Sequence, residues 1–130
     1  MLVECGQHWA RSTGEVAVSC TLNFLRALGM CETEFVAAHD AMPAAPQVFL
    51  EITDGYTAQS DSFRMVTKFA GLDKLSRKGT VIAEDGEAGQ LVTPYDDCHL
   101  VMPPVSGVAK KGTRTVRLAR VAPSPCLSKL

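Results

Sequence analysis

The sequence has no Cys-x-x-Cys pair, no cluster of histidines, no apolar run long enough to cross a bilayer and no surplus of either charge. Each absence excludes something. Five cysteines (Cys5, Cys20, Cys31, Cys98 and Cys126) form an odd, widely spaced set, which argues against a disulfide framework or a zinc ribbon and fits free thiols in a reducing cytoplasm. The 13 Lys and Arg nearly cancel the 14 Asp and Glu, for a formal charge of -1, so charge indicates neither nucleic acid nor an anionic membrane as a partner. No stretch approaches about 18 uninterrupted apolar residues, and the first residues lack the basic and then apolar order of a secretory signal. A small neutral or locally charged ligand is the partner class left open.

What is present is enough for one domain. With 130 residues, 46% of them hydrophobic, the chain can bury a sizeable core, with room for an additional docking segment. The clearest local signal runs from Ser12 to Gly29. Ser12 and Glu15 have capping-box spacing; Val18, Leu22, Leu25 and Leu28, joined by Thr21 and Phe24, recur at helical intervals; Gly29 supplies a left-handed stop. The pattern predicts an amphipathic helix from about Gly14 to Leu28 with one buried stripe.

Beyond it, residues 33–46 lack a clean period and carry Pro43 and Pro46, the pattern of a linker. From Val48 the texture becomes β. Val48, Leu50 and Ile52 alternate with Phe49, Glu51 and Thr53, and strands are expected at Arg64–Phe69, Thr80–Ala83, Gln90–Thr93, Leu100–Met102 and Thr113–Val121. Turn signals separate them: Asp54-Gly55, Lys78-Gly79, Asp85-Gly86, Pro94, Pro103-Pro104 and Lys111-Gly112. Arg77-Lys78-Gly79-Thr80 returns as Lys110-Lys111-Gly112-Thr113, 33 residues on from glycine to glycine, suggesting two similar hairpins on a pseudo-twofold.

The candidate chemistry lies at the N-terminus, in Val3-Glu4-Cys5-Gly6-Gln7-His8-Trp9. A carboxylate at a strand end, followed by a glycine turn and a histidine, can project into a pocket as a general acid or base. A salt bridge for Glu4 and a packing role for His8 explain the same residues without catalysis. Glu4-Cys5-Gly6-Gln7-His8, then a capped helix ending Phe24-Leu25-Arg26-Ala27-Leu28-Gly29, then a β-module with Lys78-Gly79-Thr80-Val81-Ile82-Ala83, resembles the C-terminal part of the succinylglutamate desuccinylase and aspartoacylase family over about Leu2 to Arg120.

That resemblance implies a zinc hydrolase related to carboxypeptidases, cleaving the amide bond of an N-acyl amino acid. It casts Glu4 as the carboxylate that activates a zinc-bound water and returns the proton to the leaving amine, with His8 lining the substrate site. It also implies that zinc is held by a His-x-x-Glu pair and a later histidine upstream of the Glu-x-Gly turn, residues not among these 130. His8, His39 and His99 have no metal-ligand spacing, and no metal ligand is assigned. His39 falls in the expected linker as a solvated residue, and His99 at an exposed strand position. Arg11, Arg26, Arg64 and Arg77 can each clamp a carboxylate, but surface solubility accounts better for most of them, and none is assigned to a substrate site.

The expected architecture is therefore α+β. A remnant strand and helix of an α/β zinc-hydrolase domain (1–32) precede the linker (33–46), a barrel-sandwich module of biotinyl or lipoyl type (47–122) and a tail (123–130). As this chain alone, the protein is expected to be an inactive fragment of the deacylase, with no zinc of its own. An exposed helix stripe would favour a homo-oligomer. A non-catalytic β-module for binding is the alternative. A carrier domain fits less well, because Lys74 of Asp73-Lys74 precedes the first Lys-Gly turn and the tip Ala83-Glu84-Asp85-Gly86-Glu87 has no lysine.

Overall fold

The structure is a computed structural model, and it describes residues 2–40, 42 and 48–123. Met1, most of the second half of the expected linker and the tail after Pro123 lie outside the described residues. The chain divides into two compact units, Met1–Pro46 and Gln47–Leu130. The fold is α+β: two helices in the first unit and two four-stranded antiparallel sheets, not closed into a barrel, in the second.

In the first unit, α1 spans Arg11–Ala27 and α2 spans Thr33–His39. The expected capping box does not form. Ala10 is the N-cap and makes no side-chain cap, so Ser12 lies inside the first turn, and Glu15 instead accepts from Arg11 Nε at 3.1 Å. The chain enters the helix through Thr13, whose Oγ1 donates to the Gln7 carbonyl at 2.6 Å. The C-terminal stop forms as expected. Gly29 adopts φ 70°, its amide donates to Arg26 O at 2.9 Å, and the Met30 amide reaches back to Leu25 O at 2.9 Å, which is a Schellman closure.

Three expectations for this unit are corrected. No strand forms around Glu4, because no neighbouring strand offers its backbone a ladder, and Gly6 at φ 117° turns the chain. The helix stripe is not buried: Leu22 and Leu25 are half-buried, while Val18, Phe24 and Leu28 are exposed. Thr33–His39, read as linker, is helical. Pro43 and Pro46 come after its last turn and do not interrupt it, while Val36 is buried and gives it a packed position.

In the second unit the strands are β1 (Phe49–Thr57), β2 (Phe63–Met65), β3 (Lys74–Leu75), β4 (Val81–Asp85), β5 (Gln90–Val92), β6 (Cys98–Val101), β7 (Val108–Ala109) and β8 (Arg114–Ala122). One sheet has the order β1-β8-β6-β3 and the other β5-β4-β2-β7. The two halves map onto one another. β2, β3 and β4 correspond to β6, β7 and β8: β2 pairs with β4 as β6 pairs with β8, and the short middle strand of each half pairs with the other half, β3 with β6 and β7 with β2. The repeated Lys-Gly-Thr turns lead into β4 and β8, the inner strands. Gly79 and Gly112 adopt φ 79° and 83°, and the amide of each preceding lysine is held by an aspartate, Lys78 by Asp96 at 2.7 Å and Lys111 by Asp61 at 2.9 Å.

The core lies between the sheets. Ile82 from one sheet meets Cys98, Leu100, Val116 and Leu118 from the other, and Phe63 stacks against Tyr56 with centroids 5.9 Å apart. The strand expected over Arg64–Phe69 shortens to Phe63–Met65, where the Met65 amide donates to Gly107 O at 2.7 Å as β7 pairs with it. Truncation at the centre should be costly. Leu100→Ala removes a fully buried side chain between the sheets and is expected to destabilise the second unit by about 2–5 kcal/mol in denaturant unfolding.

Candidate functional site

Glu4 lies in an irregular segment, exposed, with the half-buried Cys5 thiol beside it and Gly6 turning the chain toward His8 and Trp9, both also exposed. Among the described residues neither Glu4 nor His8 has a hydrogen-bond or ion-pair partner. The two share one segment, and neither lines the clefts found among the described residues. The groove of this unit, about 330 Å³, is lined instead by α1 and the end of α2, including Val18, His39, Asp40 and Met42.

His39 is the last residue of α2. Its ring stacks on Phe35 at 4.2 Å, and its Nδ1 lies 2.7 Å from the Phe35 carbonyl. Asp40 ties the two helices together, accepting from Ser19 Oγ at 3.0 Å and Asn23 Nδ2 at 2.7 Å, two positions one turn apart on α1. The Met42 amide does most to hold the Asp40 carboxyl below its ordinary range; burial opposes this, and Ser19, Asn23 and Arg26 reinforce it. The sequence pattern missed Asp40, since a lone aspartate after an Ala-rich stretch is ordinary helix-end chemistry.

The most completely satisfied polar group is in the second unit. Asp85, at the end of β4, is fully buried and accepts four hydrogen bonds: from Tyr56 OH at 2.9 Å, the Gln59 amide at 2.6 Å, the Ser60 amide at 3.0 Å and Ser60 Oγ at 2.6 Å. Tyr56 lies near the end of β1 and Gln59 and Ser60 follow it, so one carboxylate staples the end of β1 and the β1–β2 connection to the end of β4. Burial by itself pushes the carboxyl up, but the Ser60, Gln59 and Tyr56 hydrogen bonds outweigh it and hold the group below the usual aspartate value. Burial, followed by the hydrogen bond to Asp85 and then that carboxylate's charge, raises the Tyr56 phenol.

Beside this staple opens a cleft of about 370 Å³ whose walls include Ser62, Arg64, Glu84 and Gln90. Its charges are internally paired, with Arg64 Nε 3.0 Å and Nη2 2.5 Å from Glu84 Oε2. Such a cleft can take a polar ligand at its rim, but it holds no nucleophile and base in contact with one another.

The donor set does not fit zinc. Among the described residues no three His, Cys, Asp or Glu side chains converge on a point. His99 departs from its expected exposed position: it is half-buried on β6, with Nδ1 3.2 Å from Leu72 O and a buried Nε2 that has no partner. Alternation along the strand puts Cys98 in the core and His99 on the opposite face, and that face is itself covered where Ala119, the cross-strand neighbour of His99, is fully buried. No helix among the described residues is long and apolar enough to cross a membrane.

The Asp85 staple sets a pH dependence. A carboxylate whose pKa is lower in the folded chain contributes stability above its unfolded value, near 3.8, and loses that contribution as pH falls through the folded value. Thermal melts of the second unit should therefore fall off on acidification below about pH 3.8. Asp85→Asn should lower the melting temperature at neutral pH and flatten that acid limb; an unchanged acid limb would assign it to other carboxylates. Comparison with known proteins finds no family model that matches the chain and no curated protein that matches it.

Proposed function

We propose that the chain is part of a deacylase similar to the succinylglutamate desuccinylase and aspartoacylase family, acting on the amide bond of an N-acyl amino acid in the cytoplasm. The observation that carries the proposal is the order of parts: Glu4-Cys5-Gly6-Gln7-His8, a helix closed at Gly29, and a β-module whose two halves exchange strands about matching Lys-Gly-Thr turns. The finer form of that module, a barrel-sandwich of the biotinyl and lipoyl type, belongs to the same proposal. Strand exchange supports it.

In this reading Glu4 is the general base, taking a proton from the attacking water and returning it to the leaving amine, and His8 lines the substrate site. On the same reading zinc would activate that water and would be held by the family's His-x-x-Glu pair and later histidine; among the described residues no three His, Cys, Asp or Glu side chains converge on a point. The exposure of Glu4 and His8 is consistent with a site completed by other residues. By itself the chain is inactive.

The cleft at Arg64 and Glu84 favours a second reading, a non-catalytic β-module that binds a polar ligand. A carrier role is disfavoured. The β4–β5 tip is a single 3-10 turn over Gly86–Ala88 with no lysine to modify.

Two measurements test the proposal. In a longer chain carrying an upstream His-x-x-Glu, Glu4→Gln should abolish hydrolysis of N-acyl amino acids while leaving zinc content intact; retained turnover removes Glu4 from the mechanism. For the chain of 130 residues, native mass spectrometry should find no tight zinc and assays no deacylase activity. One tightly held zinc per chain would overturn the assignment of the metal to other residues.

A further inference from the structure

The sequence contains two Asp-Gly dipeptides, and the fold treats them in opposite ways. At Asp85-Gly86 both carboxylate oxygens are engaged, Oδ1 by the Ser60 amide and hydroxyl and Oδ2 by the Tyr56 hydroxyl and the Gln59 amide, in a fully buried position. At Asp54-Gly55 the carboxylate is exposed and turned back onto its own chain, with Oδ1 2.7 Å from the Gly55 amide nitrogen. A glycine amide carries no side chain to obstruct attack. Glycine is also what the site admits, since a Cβ at Gly55 would displace the Arg114 guanidinium packed against it.

We propose that Asp54-Gly55 is a site of spontaneous backbone modification, in which Asp54 isomerises to isoaspartate through a five-membered succinimide while Asp85 is protected. The Gly55 nitrogen forms a bond to Asp54 Cγ as the carboxyl C–O bond breaks. The amide proton and the protonated carboxyl's hydroxyl leave together as water. One water then opens the ring: attack at the original main-chain carbonyl leaves the chain running through the β-carbon, and attack at the other restores aspartate. Water is the only co-reactant.

Place in the fold favours this site further. β1 is an edge strand, and its register against β8 shifts between Ile52 and Asp54, so the ladder is already interrupted beside the reacting bond. Thr53, the extra residue, is fastened by its side chain, with Oγ1 2.5 Å from Tyr95 OH and 3.2 Å from Leu118 O. The reacting carboxyl is thus held next to a fixed point while remaining open to water. Isomerisation would add one methylene to the main chain of β1 and loosen the upstream pairing of Phe49–Ile52.

The test is a timed incubation of the folded protein at neutral pH and physiological temperature, followed by peptide mapping with isoaspartyl methyl transfer. The expected result is isoaspartate at Asp54 at least about tenfold above that at Asp85, because ring closure at the buried, four-fold bonded Asp85 first requires local opening that the exposed edge at Asp54 does not. In denaturant the two dipeptides lose their different surroundings and should convert at similar rates. Asp54→Glu, whose ring closure would need six members, should remove the signal from that peptide. Equal conversion in the folded protein, faster conversion at Asp85, or a signal that survives Asp54→Glu overturns the proposal.

Discussion

Neither half of the β-module can complete its own sheet, and the rest of that unit depends on this exchange. β3 lies in the first half of the chain but pairs with β6, and β7 lies in the second but pairs with β2. A strand of two residues has no stability of its own. It persists because the opposite half supplies its backbone with partners, so Leu72 donates to Leu100 O at 2.7 Å and Leu100 donates to Asp73 O at 2.9 Å. The same exchange brings Ile82 of one sheet against Leu100, Val116 and Leu118 of the other, so the core belongs to both halves.

Two aspartates show how little of a polar residue's role lies in its local pattern. Asp54 and Asp85 each precede glycine. One is buried with four donors and fastens a connection; the other is exposed and accepts from the amide of its own neighbour, Gly55. The difference comes from Tyr56, Gln59 and Ser60, which are far from Asp85 in sequence and reach it only because β1 and β2 fold back over the end of β4. Burial without those donors would have favoured a neutral acid; with them the ionised form is stabilised.

The first unit is built on a different principle. α1 has no fully buried residue, and α2 has one, Val36. What joins the two helices is polar: Asp40 bridges Ser19 and Asn23 at the point where α2 ends. A helical pair with so little apolar burial is held mainly by backbone closure at Gly29 and by that bridge. Glu4 and His8 precede this pair on an irregular, exposed segment.

Local pattern alone was sufficient for the features that short-range physics controls. The helix body and its Gly29 stop follow from apolar spacing and a left-handed glycine, and β8 and the start of β1 follow from alternation and β-branched residues, whereas Asp54-Gly55, read as a turn, is paired with Leu118 and Arg117 inside β1. The Lys-Gly-Thr echo was visible as text, and its two turns are alike because the same residues meet the same backbone demand at Gly79 and Gly112. The start of the helix was misplaced because Ser12 and Glu15 satisfy a capping pattern that Arg11 pre-empts by pairing with Glu15. β3, β7, the half-burial of His99 and the Asp85 staple were illegible, since two-residue strands carry no period and burial is decided by chain that arrives from elsewhere. Short-range pattern carried the body of α1 with its Gly29 stop, strand β8 and the Lys-Gly-Thr turns, but neither the helix Thr33–His39 nor the continuation of β1 through Asp54-Gly55. Only the tertiary structure decided which strands exchange between halves and which aspartate is buried, because both rest on pairings between residues distant in the chain.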